Sequence, residues 1–286
     1  VTNPRTYGDQ LAVVTVTYSP GETLERFIDT LDKATQRPVR VVLADNGSQD
    51  GAPQRAAEQH EHVDFVPTGG NLGYGGGANR GVASLGSEYG WIVIANPDLE
   101  WGSGSLDELI AAAGRWPRGG AFGPLITEPT GEVYPSARLL PSIGRGVGHA
   151  LFVKIWPGNP WSRAYRQSES GRSERTAGWL SGSCLLMRRE AFDSVDGFDP
   201  RYFMYFEDVD LGDRLGRAGW LNVYVPSAEI MHIGGASTSK VSKRMLTEHH
   251  RSAYRYLADR YQGLKWAPLR LALKLGLTAR AKIQAR

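Results

Sequence analysis

An α/β fold with a mostly parallel central sheet is predicted from three observations. Short β-branched or apolar runs alternate with helical spacings between residues 11 and 96. The runs close on polar turns. The connections between them are too long for hairpins and fit crossover helices.

Each element follows in order. "LAVVTVTY" (11–18) reads as a strand, and Leu24, Phe27, Ile28 and Leu31 give 22–34 a helical face. "VRVVLADNGS" (39–48) is a second strand, 53–60 a second helix and "VDFVP" a weaker third strand. The glycine-rich "TGGNLGYGGGANRG" leads into a helix over 78–85, followed by the strand "WIVIAN". Residues 128–176 carry Pro, Gly, Arg and Trp with little periodicity and read as a long excursion, partly loop. "SCLLMRR" is a strand, "REAFDSV" a short helix, 207–219 a helix stopped by Gly219, and 221–226 a strand. A loop, "SAEIMH", then leads to His232, and the tail from Lys243 is helical in pattern.

Composition narrows the class. The chain has 286 residues, 41% hydrophobic and 22% charged, with a net charge of +3. These are ordinary values for a globular protein. A lone cysteine, Cys184, excludes an internal disulfide framework and reads as a small core residue. That fits a reducing, cytosolic compartment. No run approaches the roughly 20 apolar residues of a membrane span, and the N-terminal segment carries no signal-peptide core. After Asp259 every charged residue is basic.

In parallel sheets, ligands sit beyond the carboxyl ends of the strands. Three polar clusters lie there: Thr17-Tyr18-Ser19, Asp45-Asn46 and Asn96-Pro97-Asp98. They are expected to converge on one crevice. "GYGGGA" (73–78), with Asp98 farther on, matches a dinucleotide-binding fingerprint, but it follows the third strand rather than the first. A flexible connector and a backbone cradle for a nucleotide are the competing readings. Glu207, Asp208, Asp210 and Asp213 crowd one helix start. Acids there complement the helix dipole, and Asp213 reads as a solvated or ion-paired acid. Glu207 and Asp208 follow the aromatic run 202–206, a setting that raises a carboxylate pKa and suits a general base.

Taken together, "VTVTYSPGETLERFIDTL", "VVLADNGSQDG", "GGNLGYGGGANRG", "VIANPDLEW", "WLSGSCLLMRREAF" and "DGFDPRYFMYFEDVDLGDRL", with the following His, resemble family 2 inverting glycosyltransferases of the GT-A nucleotide-sugar fold. The resemblance runs over residues 11–235. Within that family it is similar to the actinobacterial cell-wall linker-unit rhamnosyltransferases. It implies a GT-A domain over 1–240 and a basic helical extension over 241–286. It also implies transfer of L-rhamnose from dTDP-rhamnose to a polyprenyl-diphosphate-linked N-acetylglucosamine.

By position, the resemblance places Thr17 and Tyr18 on the base and ribose, and Asp45 on the pyrimidine with Asn46 beside it. Gly70, Asn71 and Asn79 line the nucleotide site. Asn96-Pro97-Asp98 fills the family's D-x-D slot with its first Asp replaced by Asn, so Asp98 and His232 hold Mg²⁺ or Mn²⁺. Asp208 is the catalytic base and Glu207 orients it or meets the acceptor. Ser181 and Gly182 lie where the family builds the donor–acceptor floor; a tight turn before a core strand is the other reading.

The basic, Leu-rich tail 264–286 reads as a membrane-surface helix, which places the protein on the cytoplasmic face of the membrane. A helix docked on the catalytic domain or a partner is the alternative. Nucleic acid is not expected, and oligomeric state is open. A glycosyltransferase of the same fold with another donor sugar or polysaccharide acceptor, a nucleotidyl- or dinucleotide-dependent α/β enzyme, and a non-catalytic sugar-nucleotide-binding or scaffold protein remain as competing functions.

Overall fold

A computed structural model of the chain describes residues 6–141, 173–234 and 243–284. Most of the excursion over 128–176 lies outside them.

The elements run β1 (Gln10–Thr17), α1 (Thr23–Asp29), α2 (Leu31–Ala34), β2 (Val39–Asp45), α3 (Ala52–Gln59), β3 (Val63–Pro67), α4 (Gly73–Ala83), β4 (Tyr89–Ala95), β5 (Leu99–Trp101), α5 (Ser105–Arg115) and β6 (Gly119–Thr127). Then come β7 (Val133–Tyr134), β8 (Ala137–Arg138), β9 (Arg175–Ala177), β10 (Trp179–Leu180), β11 (Cys184–Arg188), α6 (Arg189–Ser194), α7 (Glu207–Arg217), β12 (Leu221–His232), α8 (Lys243–Arg260) and α9 (Ala267–Gln284).

The main sheet has the order β3-β2-β1-β4-β11-β6-β12-β5. Pairs β3/β2, β2/β1, β1/β4 and β6/β12 are parallel; β11 runs antiparallel to both β4 and β6. The expected mixed, mostly parallel sheet is therefore present. Alternate residues of each strand enter different cores: Leu11 and Val13 pack with Phe27, Leu106 and Leu109, whereas Val14 and Val16 pack with Val82, Phe192 and Leu211. Burial on both faces explains why the strands read as nearly unbroken apolar runs.

Two elements differ from the sequence expectation. The glycine-rich segment is not a connector before a helix at 78; it is the helix, starting at Gly73. A Cβ at Gly77 would lie 2.7 Å from Val16 Cγ1, and one at Gly81 would lie 2.4 Å from Val14 Cγ1. The glycines let α4 lie directly on β1, a packing requirement that outweighs glycine's poor helix propensity. Gly81→Ala is expected to cost about 1–3 kcal/mol through overpacking, read from the urea midpoint of unfolding.

The second difference is β12. It does not stop at Pro226. After an irregularity between Val225 and Glu229 it resumes beside β6 and β5 and carries His232 at its end. Buried Ala228 and Ile230 keep the pattern going, and Pro226 sits at the irregularity, where its missing N–H breaks no ladder bond.

Candidate active site

The carboxyl ends of β1, β2 and β4 open on a crevice of about 700 Å³. Tyr18, Ser19, Asn46, Asn96, Pro97 and Asp98 all line it, so the predicted convergence of strand ends is observed. Asn71, Ser181, Gly182, Glu207, Asp208 and His232 join them.

Four expected site residues stand behind this surface or apart from it. Thr17 is fully buried and its hydroxyl donates to Asp45 Oδ1 at 2.7 Å. Asp45 also accepts from Ser48 Oγ, from Gly47 N at 3.1 Å and from Ser48 N at 3.0 Å. These four donors hold the Asp45 carboxylate at the β2 turn. Gly70 has φ +159° and gives its carbonyl to the Thr68 hydroxyl; it lies outside the crevice wall. Asn79 is likewise outside it. Its amide donates to Phe198 O at 2.7 Å and its Oδ1 accepts from Phe198 N at 2.9 Å, which clamps α4 to the 198 segment. The partner of this inward-facing amide is backbone far along the chain.

Asn46 does reach the site. Its Nδ2 donates to Gly73 O at 3.0 Å and its Oδ1 accepts from Thr68 Oγ1 and Leu72 N, which ties the β2 end to the start of α4. The dinucleotide reading of the glycines fails here. Those at 77 and 81 press on strand side chains, as described, and Gly73 and Gly75 close on Phe203 and Phe198.

Asp98 and His232 are brought together by the pairing of β5 with β12, where Leu99 faces His232. His232 Nε2 lies 3.0 Å from Asp98 Oδ1 and 3.3 Å from Asn96 Nδ2. Both side chains are mostly buried and reach the crevice. They supply one carboxylate oxygen and one imidazole nitrogen. No group of three or more His, Cys, Asp or Glu able to hold a metal ion occurs among the described residues. A sparse set of this kind fits a hard divalent cation that keeps waters and takes further oxygens from a phosphate substrate. Asn96, in place of a second carboxylate, adds no charge.

Glu207 and Asp208 open α7. The two residues before them, Tyr205 and Phe206, have left-handed φ values of 67° and 66°. Such backbone in non-glycine residues costs about 1–3 kcal/mol each and clusters at functional sites. Here α8 holds it. His249 stacks edge-on against both rings, at 5.4 and 5.6 Å, and Ser252 Oγ donates to Met204 O at 3.0 Å. Tyr256 and Arg260 of α8 bind Asp213, which is buried and ion-paired with Arg217 as well. So α8 packs on the segment that carries Glu207 and Asp208, a role that helical periodicity alone did not show.

Asp208 Oδ2 accepts from Gly182 N at 3.0 Å, and Oδ1 accepts from Val209 N at 2.9 Å. Gly182 is held from its other side: Tyr74, a half-buried phenol on α4, donates to Gly182 O. Burial raises the Tyr74 pKa well above the ordinary value, so it remains a donor. This Tyr74–Gly182–Asp208 chain was not visible in the sequence. The loop 181–183 turns back under Asp208, with Gly182 N donating to its carboxylate.

Burial raises both carboxyl pKa values, and the two groups repel. They are not equivalent. Asp208 has two backbone N–H donors, which favour its anion. Glu207 Oε2 is buried with no hydrogen-bond partner among the described residues, and its carboxyl is pushed up to about 8. The pair therefore places the negative charge on Asp208 and the proton on Glu207. A folded pKa above the ordinary 4.5 means that Glu207 contributes stability fully below that pH, and the contribution is lost as pH rises toward 8. Glu207→Gln fixes the neutral form. It is expected to flatten the fall in Tm over this window; a slope equal to that of the unmodified protein would contradict the assignment.

Cys184 is buried in the core and its thiol is pushed up by burial, in line with a packing role.

The family model for glycosyl transferase family 2 matches residues 12–196, and that for glycosyltransferase-like family 2 matches 159–251. The chain belongs to glycosyl transferase family 2. It is 56% identical to the N-acetylglucosaminyl-diphospho-decaprenol L-rhamnosyltransferase of Mycobacterium tuberculosis, across 97% of this chain and 94% of that protein. Rhamnosyltransferase WbbL of Escherichia coli is 39% identical over 32% of this chain and 34% of its own length. Among solved structures, GalNAc-T7 with UDP, GalNAc and Mn²⁺ superposes with TM-score 0.61 at 15% identity, over 85% of this chain and 47% of that one. The mannosyltransferase PcManGT of Pyrobaculum calidifontis, with GDP-Man and Mn²⁺, gives 0.60 at 17% identity, over 100% and 77%. The fold is the GT-A fold, and the enzyme is a glycosyltransferase.

Proposed function

We propose that this glycosyltransferase moves L-rhamnose from dTDP-L-rhamnose to a polyprenyl-diphosphate-linked N-acetylglucosamine, with inversion at the anomeric carbon. The observation that carries the reading is the 56% identity, sustained over nearly the whole chain, to an enzyme whose name states that acceptor and sugar. The crevice supports it chemically.

Tyr18, Asn46 and Asn71 take the nucleotide at the strand ends. Asp98 and His232 hold a divalent ion, Mg²⁺ or Mn²⁺; when bound, it neutralises charge developing on the departing diphosphate. Asp208 accepts the proton of the acceptor hydroxyl as that oxygen attacks the sugar from the face opposite the leaving group. Glu207, protonated, keeps the pair's charge on Asp208. Tyr74 and Gly182 hold the carboxylate in place.

The reading includes peripheral binding to the cytoplasmic face of the membrane. No helix among the described residues is long and apolar enough to cross one. Instead, α9 and the turn before it leave Leu264, Trp266, Leu271 and Leu275 exposed among Lys265, Arg270 and Lys274. Apolar side chains interleaved with cations suit an anionic lipid surface. The test is a donor screen with a prenyl-diphosphate N-acetylglucosamine acceptor in the presence and absence of EDTA, with vesicle flotation of the full chain and of a chain ending at Gly263. dTDP-rhamnose should be the preferred donor, EDTA should suppress transfer, and only the full chain should float with anionic vesicles. Preference for another donor or equal flotation would reject the corresponding part.

A further inference from the structure

One wall of the crevice is built from elements that neither the nucleotide nor the metal reading uses. It carries Leu139, Leu140 and Pro141 after β8, Trp179 of β10, Leu257 of α8 and Leu273 of α9. Among the described residues, this apolar wall carries a single arginine or lysine, Arg138.

Arg138 is fixed on several sides. The two-stranded β8/β10 pairing sets it opposite Trp179. Its guanidinium lies 5.4 Å from the Tyr134 ring and 5.4 Å from the Trp179 ring. Nε donates to Pro135 O at 2.8 Å. Trp179 is itself tied down through Nε1 to Leu139 O at 3.1 Å. The two Nη groups have no protein partner among the described residues. The guanidinium lines the crevice, and Asp208 is within reach of its charge.

A partly buried arginine held between aromatic rings, with its Nη fork left over, is arranged to bind an anion. The surroundings specify which kind. A free nucleotide would meet polar groups on both sides, as it does at Tyr18, Asn46 and Asn71. Here the flanking surface is aliphatic and aromatic, and it runs toward α9, whose neighbouring Leu271 and Leu275 are exposed. The matching ligand carries a phosphate group joined directly to a hydrocarbon chain.

We propose that Arg138 binds the diphosphate of the lipid-linked acceptor, with the first part of its hydrocarbon chain lying along Leu140, Trp179, Leu257 and Leu273. The proposal rests on the acceptor reading above. The guanidinium anchors the acceptor on the Asp208 side of the crevice, and Asp98 and His232 serve the donor on the other. The lipid enters along α9, so membrane contact and acceptor loading use the same side of the molecule.

The test compares kcat/KM for two acceptors, an N-acetylglucosaminyl-diphosphate bearing a short prenyl chain and an uncharged decyl N-acetylglucosaminide. Arg138→Met keeps the aliphatic stem and removes the fork. It is expected to lower the enzyme's preference for the diphosphate acceptor by on the order of 10²-fold, the effect of losing a bidentate charge-assisted contact. The KM for dTDP-rhamnose should remain that of the unmodified enzyme. Arg138→Lys keeps the charge without the fork and should lower the preference by about tenfold. It also serves if Arg138→Met lacks the dTDP-induced rise in Tm that marks a folded protein. An unchanged preference in a folded variant, or a raised KM for dTDP-rhamnose instead, overturns the site. Failure of the unmodified enzyme to transfer to either acceptor overturns the acceptor reading itself, and the site with it.

Discussion

Asp208→Asn is expected to lower kcat by about 10²–10⁴-fold, the range for loss of a general base, while dTDP binding stays close to that of the unmodified enzyme. The amide keeps the shape of the carboxylate, and its one oxygen can still accept from either Gly182 N or Val209 N. What it cannot do is take a proton from the acceptor hydroxyl. The two readouts belong together. A loss of turnover accompanied by an equal loss of dTDP affinity would mean that Asp208 builds the donor site, and the base assignment would fall. The acid limb of the kcat profile supplies a second check: burial raises the Asp208 pKa, while the backbone donors and the Arg138 charge hold it down. Activity should therefore fall on acidification as the pair takes up its second proton.

The second large effect is at Asp98 and His232, the proposed metal ligands. Asp98→Ala removes the only carboxylate in the Asn96-Pro97-Asp98 turn and leaves His232 beside a neutral amide. kcat/KM is expected to fall on the order of 10²–10³-fold, as for loss of one preorganised electrostatic partner of a developing charge. The same variant should lose the part of the dTDP-induced rise in Tm that depends on added divalent ion. That thermal readout separates a binding role from a fault in chemistry. A variant retaining the ion-dependent stabilisation would show that the cation is held elsewhere.

Much of this site was legible in the chain because local signals placed it. Strand ends in an α/β sheet point to one edge, and Tyr18, Asn46 and Asp98 were found there because that rule is geometric. Glu207 and Asp208 stood out for the aromatic run that precedes them. The residues read less well were those whose partner is remote. Asp45 and Asn46 are adjacent and equally polar, yet one is hydrogen-bonded within its own turn and the other lines the crevice. Only the rotation of the chain after β2 distinguishes them. Asn79 meets a backbone segment more than a hundred residues on, and Tyr74 acts through a peptide equally distant. Arg138 lay in a region of weak periodicity; a two-residue strand leaves no pattern to detect. The glycines of α4 misled because their composition is that of a loop, whereas their function is close approach to β1. The two halves of the C-terminal region divide along the same line: α8 is set by what it packs on, and α9 by what it leaves exposed.

The most direct measurement is the structure of the product. Purified enzyme, dTDP-rhamnose, a divalent ion and a prenyl-diphosphate N-acetylglucosamine acceptor should give a rhamnosylated lipid whose new glycosidic bond, assigned by NMR, has the anomeric configuration opposite to that of the donor. A product that retains the donor configuration would contradict single displacement assisted by Asp208, and the absence of any rhamnosylated lipid would contradict the proposed reaction.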